Sequence, residues 1–143
     1  MEKNITFKFT EKNFANPNQM QALTLAYIGD SIYDIMSREY VMKNHLGKIN
    51  DLHKTVSTIV SARAQASFME NILNNSMLTE QEEKIYNRAK NQKNNSKAKN
   101  ASIMEYKLAT GLEAVFGYLY LEKNFERLEE MFNYIIRLYE EKQ

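Results

Sequence analysis

Apolar residues recur at intervals of three or four along most of the chain, a spacing that predicts amphipathic helices rather than strands. The first helix is predicted from about Gln19 to about Asn44, after a start signal at Asn16-Pro17 and before a stop at Gly47. Its predicted apolar side consists of Leu25, Ile28, Ile32, Ile35 and Met36. Residues 1–16 show no sustained period, although Ile5, Phe7 and Phe9 alternate with polar residues as in a short strand-like, flexible arm.

Two further helices are predicted in the middle of the chain. One is capped by Asn50 or Asp51 and continues without a break to about Leu73. Its apolar positions are Leu52, Val56, Ile59, Val60, Ala66 and Met69. The next, more polar helix opens with a capping box from Thr79 to Glu82 and leads into an exposed loop from Asn87 to Asn100.

The last two helices contain the most apolar part of the sequence. The fourth is predicted from about Ser102 to Lys123, and between Leu108 and Leu121 its only charge is Glu113. Gly111 and Gly117 lie inside it and predict close helix packing, because glycine otherwise weakens a helix by about 1 kcal/mol relative to alanine. Asn124 is predicted to cap the last helix, whose apolar face is Leu128, Met131, Phe132, Ile135, Ile136 and Tyr139. The pattern predicts one all-α domain over residues 1–143, without internal repeats.

Composition narrows the functional classes. The absence of cysteine excludes disulfides, a thiol nucleophile and cysteine zinc sites. No apolar run approaches the roughly 18 residues of a membrane span or forms a signal peptide, so we expect a cytoplasmic protein. The net charge is only +1, but the segment from Lys84 to Lys99 has six basic residues and no acid. This segment could hold a polyanion.

Asp30 and Glu113 are the candidate catalytic residues, because each is a carboxylate in a helical stretch that otherwise looks buried. If their two helices pack side by side, the carboxylates converge. Mg²⁺ is usually bound by one or two carboxylates together with water, and it can promote phosphodiester hydrolysis. This pattern therefore favours a phosphoryl-transfer site with a basic loop that holds the substrate.

Structural explanations for the same residues stay open at this point. A lone acid in an apolar helix is more often salt-bridged than catalytic, and a basic loop is more often simply solvated. His53 lacks a metal-ligand partner other than the nearby Asp51 and is interpreted as structural or as packing near the site. The tyrosines are interpreted as core residues with satisfied hydroxyls. They are Tyr27, Tyr33, Tyr106, Tyr118 and Tyr120.

Several ordered motifs resemble the ribonuclease III family. The stretch from Ala26 to Ile32 resembles its signature helix, and the stretch from Glu113 to Tyr120 resembles its second acidic motif. The chain as a whole resembles the bacterial subfamily that consists of the catalytic domain alone. The linking matches, within a span from Gln19 to Leu128, are Asn50-Asp51-Leu52-His53-Lys54, Val60-Ser61-Ala62, Gln65-Ala66, Arg88, Asn91 and Lys99-Asn100.

This resemblance implies an all-helical ribonuclease III catalytic-domain fold that works as a homodimer with one Mg²⁺-dependent site in each protomer. It implies cleavage of double-stranded RNA to 5′-phosphate and 3′-hydroxyl ends, in the maturation of the 23S ribosomal RNA precursor. By motif, Asp30 is the principal catalytic metal ligand and Glu113 the second. Whether a ribosomal protein presents the substrate is left open.

The sequence also departs from the wider family. Ala26 and Thr110 occupy two positions where that family has carboxylates, and Asp34, one turn after Asp30, is a candidate replacement or a structural acid. We expect no double-stranded RNA-binding domain after the catalytic helices. The proposed substitutes for it are basic residues of the predicted loop, namely Arg88, Lys90, Lys93, Lys97 and Lys99.

Two other functions compete with the nuclease. The first is a non-catalytic RNA-binding or ribosome-assembly factor on the same fold, which the missing carboxylates at Ala26 and Thr110 would favour. The second is a helical dimer whose buried acids are structural. The presence of both Asp30 and Glu113 speaks against the first alternative, and the second leaves the basic loop and the order of the motifs unexplained.

Overall fold

The nearly uncharged stretch around Glu113 forms the central helix of a helical bundle. The structure is a computed structural model, and it describes residues 16–44, 47–92 and 101–142. The arm predicted in residues 1–16 lies almost entirely outside this range. A 3₁₀ turn at Pro17–Gln19 precedes six helices, and the described chain contains no strand. The helices are α1 (Ala22–Asn44), α2 (Ile49–Val60), α3 (Ala62–Asn74), α4 (Glu80–Lys90), α5 (Ile103–Leu121) and α6 (Phe125–Glu141).

Helix α5 is central because it packs against α1, α3, α4 and α6. A helix surrounded by other helices must be apolar on almost every side, and the sequence from Leu108 to Leu119 meets this requirement. Gly111 lies against the ring of Tyr86, where a Cβ would be 2.4 Å from the nearest ring atom. The close packing predicted for this glycine is confirmed.

Local capping signals determine where several helices begin. Thr79 and Glu82 form the predicted capping box at the start of α4. Asn124 caps α6 as predicted, since its side chain accepts a hydrogen bond from the backbone N–H of Arg127 at 3.2 Å. All six residues of the predicted apolar face of α6 are buried.

The second predicted helix is in fact two helices. Ser61 interrupts it with an extended backbone (ψ 154°), and its hydroxyl caps α3 by accepting a hydrogen bond from the N–H of Ala64 in the first turn of that helix. The predicted cap was also wrong, because α2 begins at Ile49, with Lys48 before it and no side-chain cap. Apolar spacing continues across the break at Ser61, so periodicity did not reveal the corner.

The apolar side predicted for α1 is only partly correct, because Leu25 is buried and Ile32 and Met36 pack against the core, but Ile35 does not. Ile35 is 55% exposed, whereas the buried side contains several small residues. The buried residues of α1 are Ala22, Leu25, Ala26, Gly29, Tyr33, Ser37 and Val41. Small side chains let the backbone of α1 approach α5 closely, and this contact decided the orientation of the helix.

Contacts between distant residues hold the outer helices in place. The hydroxyl of Tyr33 donates to the carbonyl of Ile59 at 2.8 Å, which joins α1 to α2 and confirms Tyr33 as a core residue. Glu82, 3% exposed, pairs with Arg127 at 2.8 Å and joins α4 to α6.

In the described part of the chain, no helix combines the length and apolar character needed to span a membrane.

Candidate active site

Two glycines bring the backbones of α1 and α5 into direct contact. A Cβ on Gly29 would lie 1.7 Å from the carbonyl oxygen of Glu113, and a Cβ on Gly117 would lie 2.0 Å from that of Leu25. No real side chain tolerates such distances, so both positions require glycine. The close packing predicted for Gly117 is confirmed, and Asp30 is placed beside Glu113 because it follows Gly29 directly.

The carboxylates of Asp30 and Glu113 meet across this helix contact. Burial is the main cause that raises the pKa of Glu113 to about 8, and the negative charge of Asp30 and a hydrogen bond between the two side chains raise it further. Asp30 itself is exposed, so the expectation that both acids are buried was wrong for Asp30. The convergence of the two carboxylates, which depended on side-by-side helices, is present.

Gln65 also contacts this pair of acids. Its amide nitrogen donates to Oε2 of Glu113 at 3.2 Å, and this hydrogen bond opposes the rise in the pKa of Glu113. Gln65 belongs to one of the motifs that resemble the ribonuclease III family, but no role for it was predicted from the sequence. The available signal was an amide side chain in α3 among buried apolar residues such as Ala66 and Met69.

The two positions where carboxylates were missing contribute no ligand. Ala26 is buried with 6% exposure. The hydroxyl of Thr110 donates to the carbonyl of Tyr106 at 2.9 Å, within its own helix. Asp34 forms an exposed ion pair with Arg38 at 2.8 Å, an arrangement typical of a structural acid.

The site fits a hard divalent cation with few protein ligands. Among the described residues, no group of three or more histidine, cysteine, aspartate or glutamate side chains could hold a metal. Asp30 and Glu113 provide two converging carboxylates, one of them open to solvent, and their like charges oppose each other at high pH. Mg²⁺ commonly binds through one or two carboxylates and retains several waters, so this donor set suits it.

The basic residues proposed for RNA binding are only partly within the described structure. Lys93, Lys97 and Lys99 lie outside it. The predicted loop begins later than expected, because α4 continues to Lys90. Arg88 donates to the backbone carbonyls of Asn18 and Met20, and Lys90 lies 5.8 Å from the ring centre of Tyr86.

Two other side chains considered in the sequence analysis, Tyr27 and His53, are exposed. Tyr27 is 81% exposed, so its interpretation as a core residue was wrong. His53 is exposed and lines a small, mainly apolar cleft between α1 and α2, together with Val41 and Leu52. The description of His53 as a structural residue stays a prediction.

Comparison with known sequences defines the class of protein. The ribonuclease III domain matches residues 23–124, more than half of the chain and a range that includes both Asp30 and Glu113. A crystal structure of a protein from Fusobacterium nucleatum is similar, with a TM-score of 0.77 and 33% identity, and the match covers 87% of this chain and 99% of that one. The fold is therefore that of a ribonuclease III domain.

Similar curated proteins refine this assignment. Mini-ribonuclease 3 of Enterococcus faecalis is 46% identical over 119 residues, which cover 83% of this chain and 90% of that protein. Mini-ribonuclease 3 of Clostridium tetani is 46% identical over 135 residues, which cover 94% of this chain and 86% of that protein. The chain belongs to the Mini-ribonuclease 3 family, within the ribonuclease III enzymes. It is an endoribonuclease of the ribonuclease III type, a class that acts on double-stranded RNA.

Proposed function

We propose that this enzyme cleaves double-stranded RNA in a Mg²⁺-dependent reaction at Asp30 and Glu113. The observation that carries the proposal is the meeting of these two carboxylates across the α1–α5 contact, with the pKa of Glu113 raised to about 8. Such perturbation is typical of functional carboxylates. The exposed Asp30 gives the site access to a large substrate.

Asp30 and Glu113 would hold the cation, and each has a distinct role. Asp30 offers an accessible carboxylate, while Glu113 is held by Gln65 and must lose its proton before it can act as a ligand. When bound, the metal ion supplies activation of water and stabilisation of the charge that develops at phosphorus. The expected products are RNA ends with a 5′-phosphate and a 3′-hydroxyl.

The proposed substrate is the 23S ribosomal RNA precursor, whose ends would be matured by this cleavage. We propose that the basic segment formed by Arg88, Lys90, Lys93, Lys97 and Lys99 helps to hold the duplex. Duplex RNA is recognised mainly through its shape, phosphates and 2′-hydroxyls, and lysine and arginine supply the phosphate contacts. A ribosomal protein that presents the RNA would add to this affinity.

We also propose a homodimer as the working unit. Apolar side chains of α1, α5 and α6 line an open groove that includes Ile35, Tyr120 and Phe125. Ile35 and Phe125 are 55% and 50% exposed, and Tyr27, which is 81% exposed, is also on α1. A second copy that covered these residues would place its own helix α1, and therefore its own Asp30, near the first site.

The test compares long duplex RNA cleavage by the wild-type enzyme, Asp30→Asn and Glu113→Gln in the presence of Mg²⁺. We expect either substitution to reduce the rate by at least about a hundredfold, with RNA binding retained. Asp34→Asn is the matched control, because it removes a carboxylate one turn away that is paired with Arg38. Cleavage that survives both Asp30→Asn and Glu113→Gln would refute the site.

The non-catalytic alternative makes a different forecast for the same experiment. An RNA-binding or ribosome-assembly factor would bind the duplex in a gel-shift assay, yet the wild-type protein would leave it intact at every Mg²⁺ concentration. The family membership and the paired carboxylates favour turnover.

A further inference from the structure

Gln65 is a buried polar side chain that contacts the proposed metal site. It lies in the first turn of α3 and is 2% exposed. Its amide nitrogen donates to two acceptors, the carbonyl of Val60 at 2.9 Å and Oε2 of Glu113 at 3.2 Å. It therefore connects the corner between α2 and α3 to the carboxylate on α5.

These two contacts determine which way the amide faces. The carbonyl of Val60 can only accept a hydrogen bond, so the NH₂ group of Gln65 must point toward it. The reversed amide would place two acceptor oxygens against each other. The orientation of Gln65 follows from this backbone contact and does not depend on the protonation state of Glu113.

The carbonyl oxygen of the Gln65 amide is left without a hydrogen bond in the described structure. Oε1 of Gln65 is buried and has no hydrogen-bond partner among the described residues. An unsatisfied buried acceptor is destabilising, and native proteins rarely retain one without a functional or solvent partner. This oxygen belongs to the same planar group as the nitrogen that contacts Glu113, so a partner bound to it would also help to fix that contact.

The positions one turn before Asp30 and Glu113 do not direct a polar side chain to the site. Ala26 has no polar side chain, and the hydroxyl of Thr110 is directed to the carbonyl of Tyr106. A cation held by only Asp30 and Glu113 keeps most of its water ligands, and those waters need acceptors. A neutral amide oxygen can accept from such a water without adding another negative charge beside Asp30 and Glu113.

We propose that Gln65 is a positioning residue for the metal site, acting through both ends of its amide. The nitrogen holds Oε2 of Glu113, and the carbonyl oxygen accepts a hydrogen bond from water bound to the cation. This inference rests on the proposed function, because it assumes a divalent cation at Asp30 and Glu113. It adds a third residue to the site.

The experiment measures Mn²⁺ binding to the RNA-free protein by electron paramagnetic resonance. Gln65→Met preserves the approximate length of the side chain and removes both polar ends of the amide. We expect this variant to weaken Mn²⁺ binding about tenfold or more, the usual effect of losing a group that orients a metal ligand. Gln81→Met is the matched control, since Gln81 donates its amide N–H to Asn18 rather than to Glu113, and it should bind Mn²⁺ as the wild type does.

Kinetics provide a second readout that a purely structural role would not change. For Gln65→Met, the Mg²⁺ concentration at half-maximal rate should rise about tenfold, while KM for duplex RNA at saturating Mg²⁺ stays unchanged. If Gln65 only joins the α2–α3 corner, the variant will melt at a lower temperature with unaltered Mn²⁺ affinity, and the proposal is wrong.

Two controls keep this proposal separate from the proposed function. Wild-type binding of Mn²⁺ together with its loss in Glu113→Gln supports the metal site independently of Gln65. If circular dichroism shows that Gln65→Met does not fold, Gln65→Asn replaces it, because this variant keeps a polar amide that is too short to span Val60 and Glu113. Wild-type Mn²⁺ affinity in folded Gln65→Asn would equally overturn the role of Gln65.

Discussion

Gly29 lies against the main chain of Glu113, with so little space that a Cβ would be 1.7 Å from the Glu113 carbonyl oxygen. This one contact therefore sets both the packing of α1 against α5 and the distance between Asp30 and Glu113. Under the proposed function, stability and catalysis are therefore coupled at this contact.

Replacing Gly29 by alanine tests this coupling. Because the nearest obstacle is backbone, α1 and α5 must separate, and we expect a loss of more than about 3 kcal/mol of unfolding free energy. Cleavage by the remaining folded protein should also fall. Gly47→Ala is the matched control, since its Cβ would meet only the exposed side chain of Asp51 at 3.2 Å, and it should change stability by less than about 1 kcal/mol. Urea denaturation measures the stability of both variants. Equal denaturation midpoints for Gly29→Ala and Gly47→Ala would contradict the role of Gly29.

The raised pKa of Glu113 predicts a pH dependence of stability without metal. Its pKa is about 8 in the folded protein, above the ordinary glutamate pKa of 4.5, so between these values the folded state holds the extra proton. Stability therefore falls as pH rises from about 4.5 to about 8. Melting temperatures in EDTA at pH 5, 6.5 and 8 should show this decrease, and Glu113→Gln should lack this contribution. An identical pH slope in both proteins would rule out Glu113 as its source.

The same protonation predicts how metal binding responds to pH. A carboxylate ligand must be deprotonated, so a cation that binds near neutral pH displaces the proton of Glu113. Mn²⁺ affinity should increase from pH 6 to pH 8, with release of about one proton per site. Titration calorimetry in buffers of different ionisation enthalpy measures this release. Asp34→Asn, which leaves Glu113 in place, is the control and should release the same proton, whereas binding without proton release would contradict the raised pKa of Glu113.

The basic segment predicts a salt-dependent affinity for RNA. In an Asp30→Asn background, the joint change of Lys90, Lys93 and Lys97 to glutamine should lower the slope of log affinity against log salt by about two to three. A charge-matched control changes the exposed Lys43, Lys48 and Lys123 instead. If the two triple variants give the same slope, the segment has no special part in binding. Filter binding between 50 and 200 mM salt provides the measurement.

The apolar surface of α1 predicts that dimerisation depends on Tyr27. Tyr27→Asp places a charge where the proposed partner would bury an aromatic ring, and it should convert the dimer to a monomer in light scattering. Ile103→Asp is the control, because Ile103 is 61% exposed on α5 and lies outside the proposed interface. A wild-type protein that is monomeric at micromolar concentration would refute the dimer.

Local sequence signals determined much of the secondary structure. The capping box at Thr79, the cap at Asn124 and the apolar face of α6 depend on residues within a few turns of one another, and all were predicted correctly. The uncharged stretch around Glu113 likewise identified the central helix. The pairing of Asp30 with Glu113 was anticipated as a consequence of side-by-side packing.

Tertiary structure decided what local patterns leave undetermined. Ile35 belonged to the predicted apolar side of α1, yet contact between backbones at Gly29 and Gly117 brought small residues into the helix interface and left Ile35 and Asp30 exposed. The corner at Ser61 brought Gln65 to Glu113, a residue 48 positions away. Caps and periodicity reflect neighbours along one helix, whereas the buried face and the polar contacts of a site depend on residues that only folding brings together.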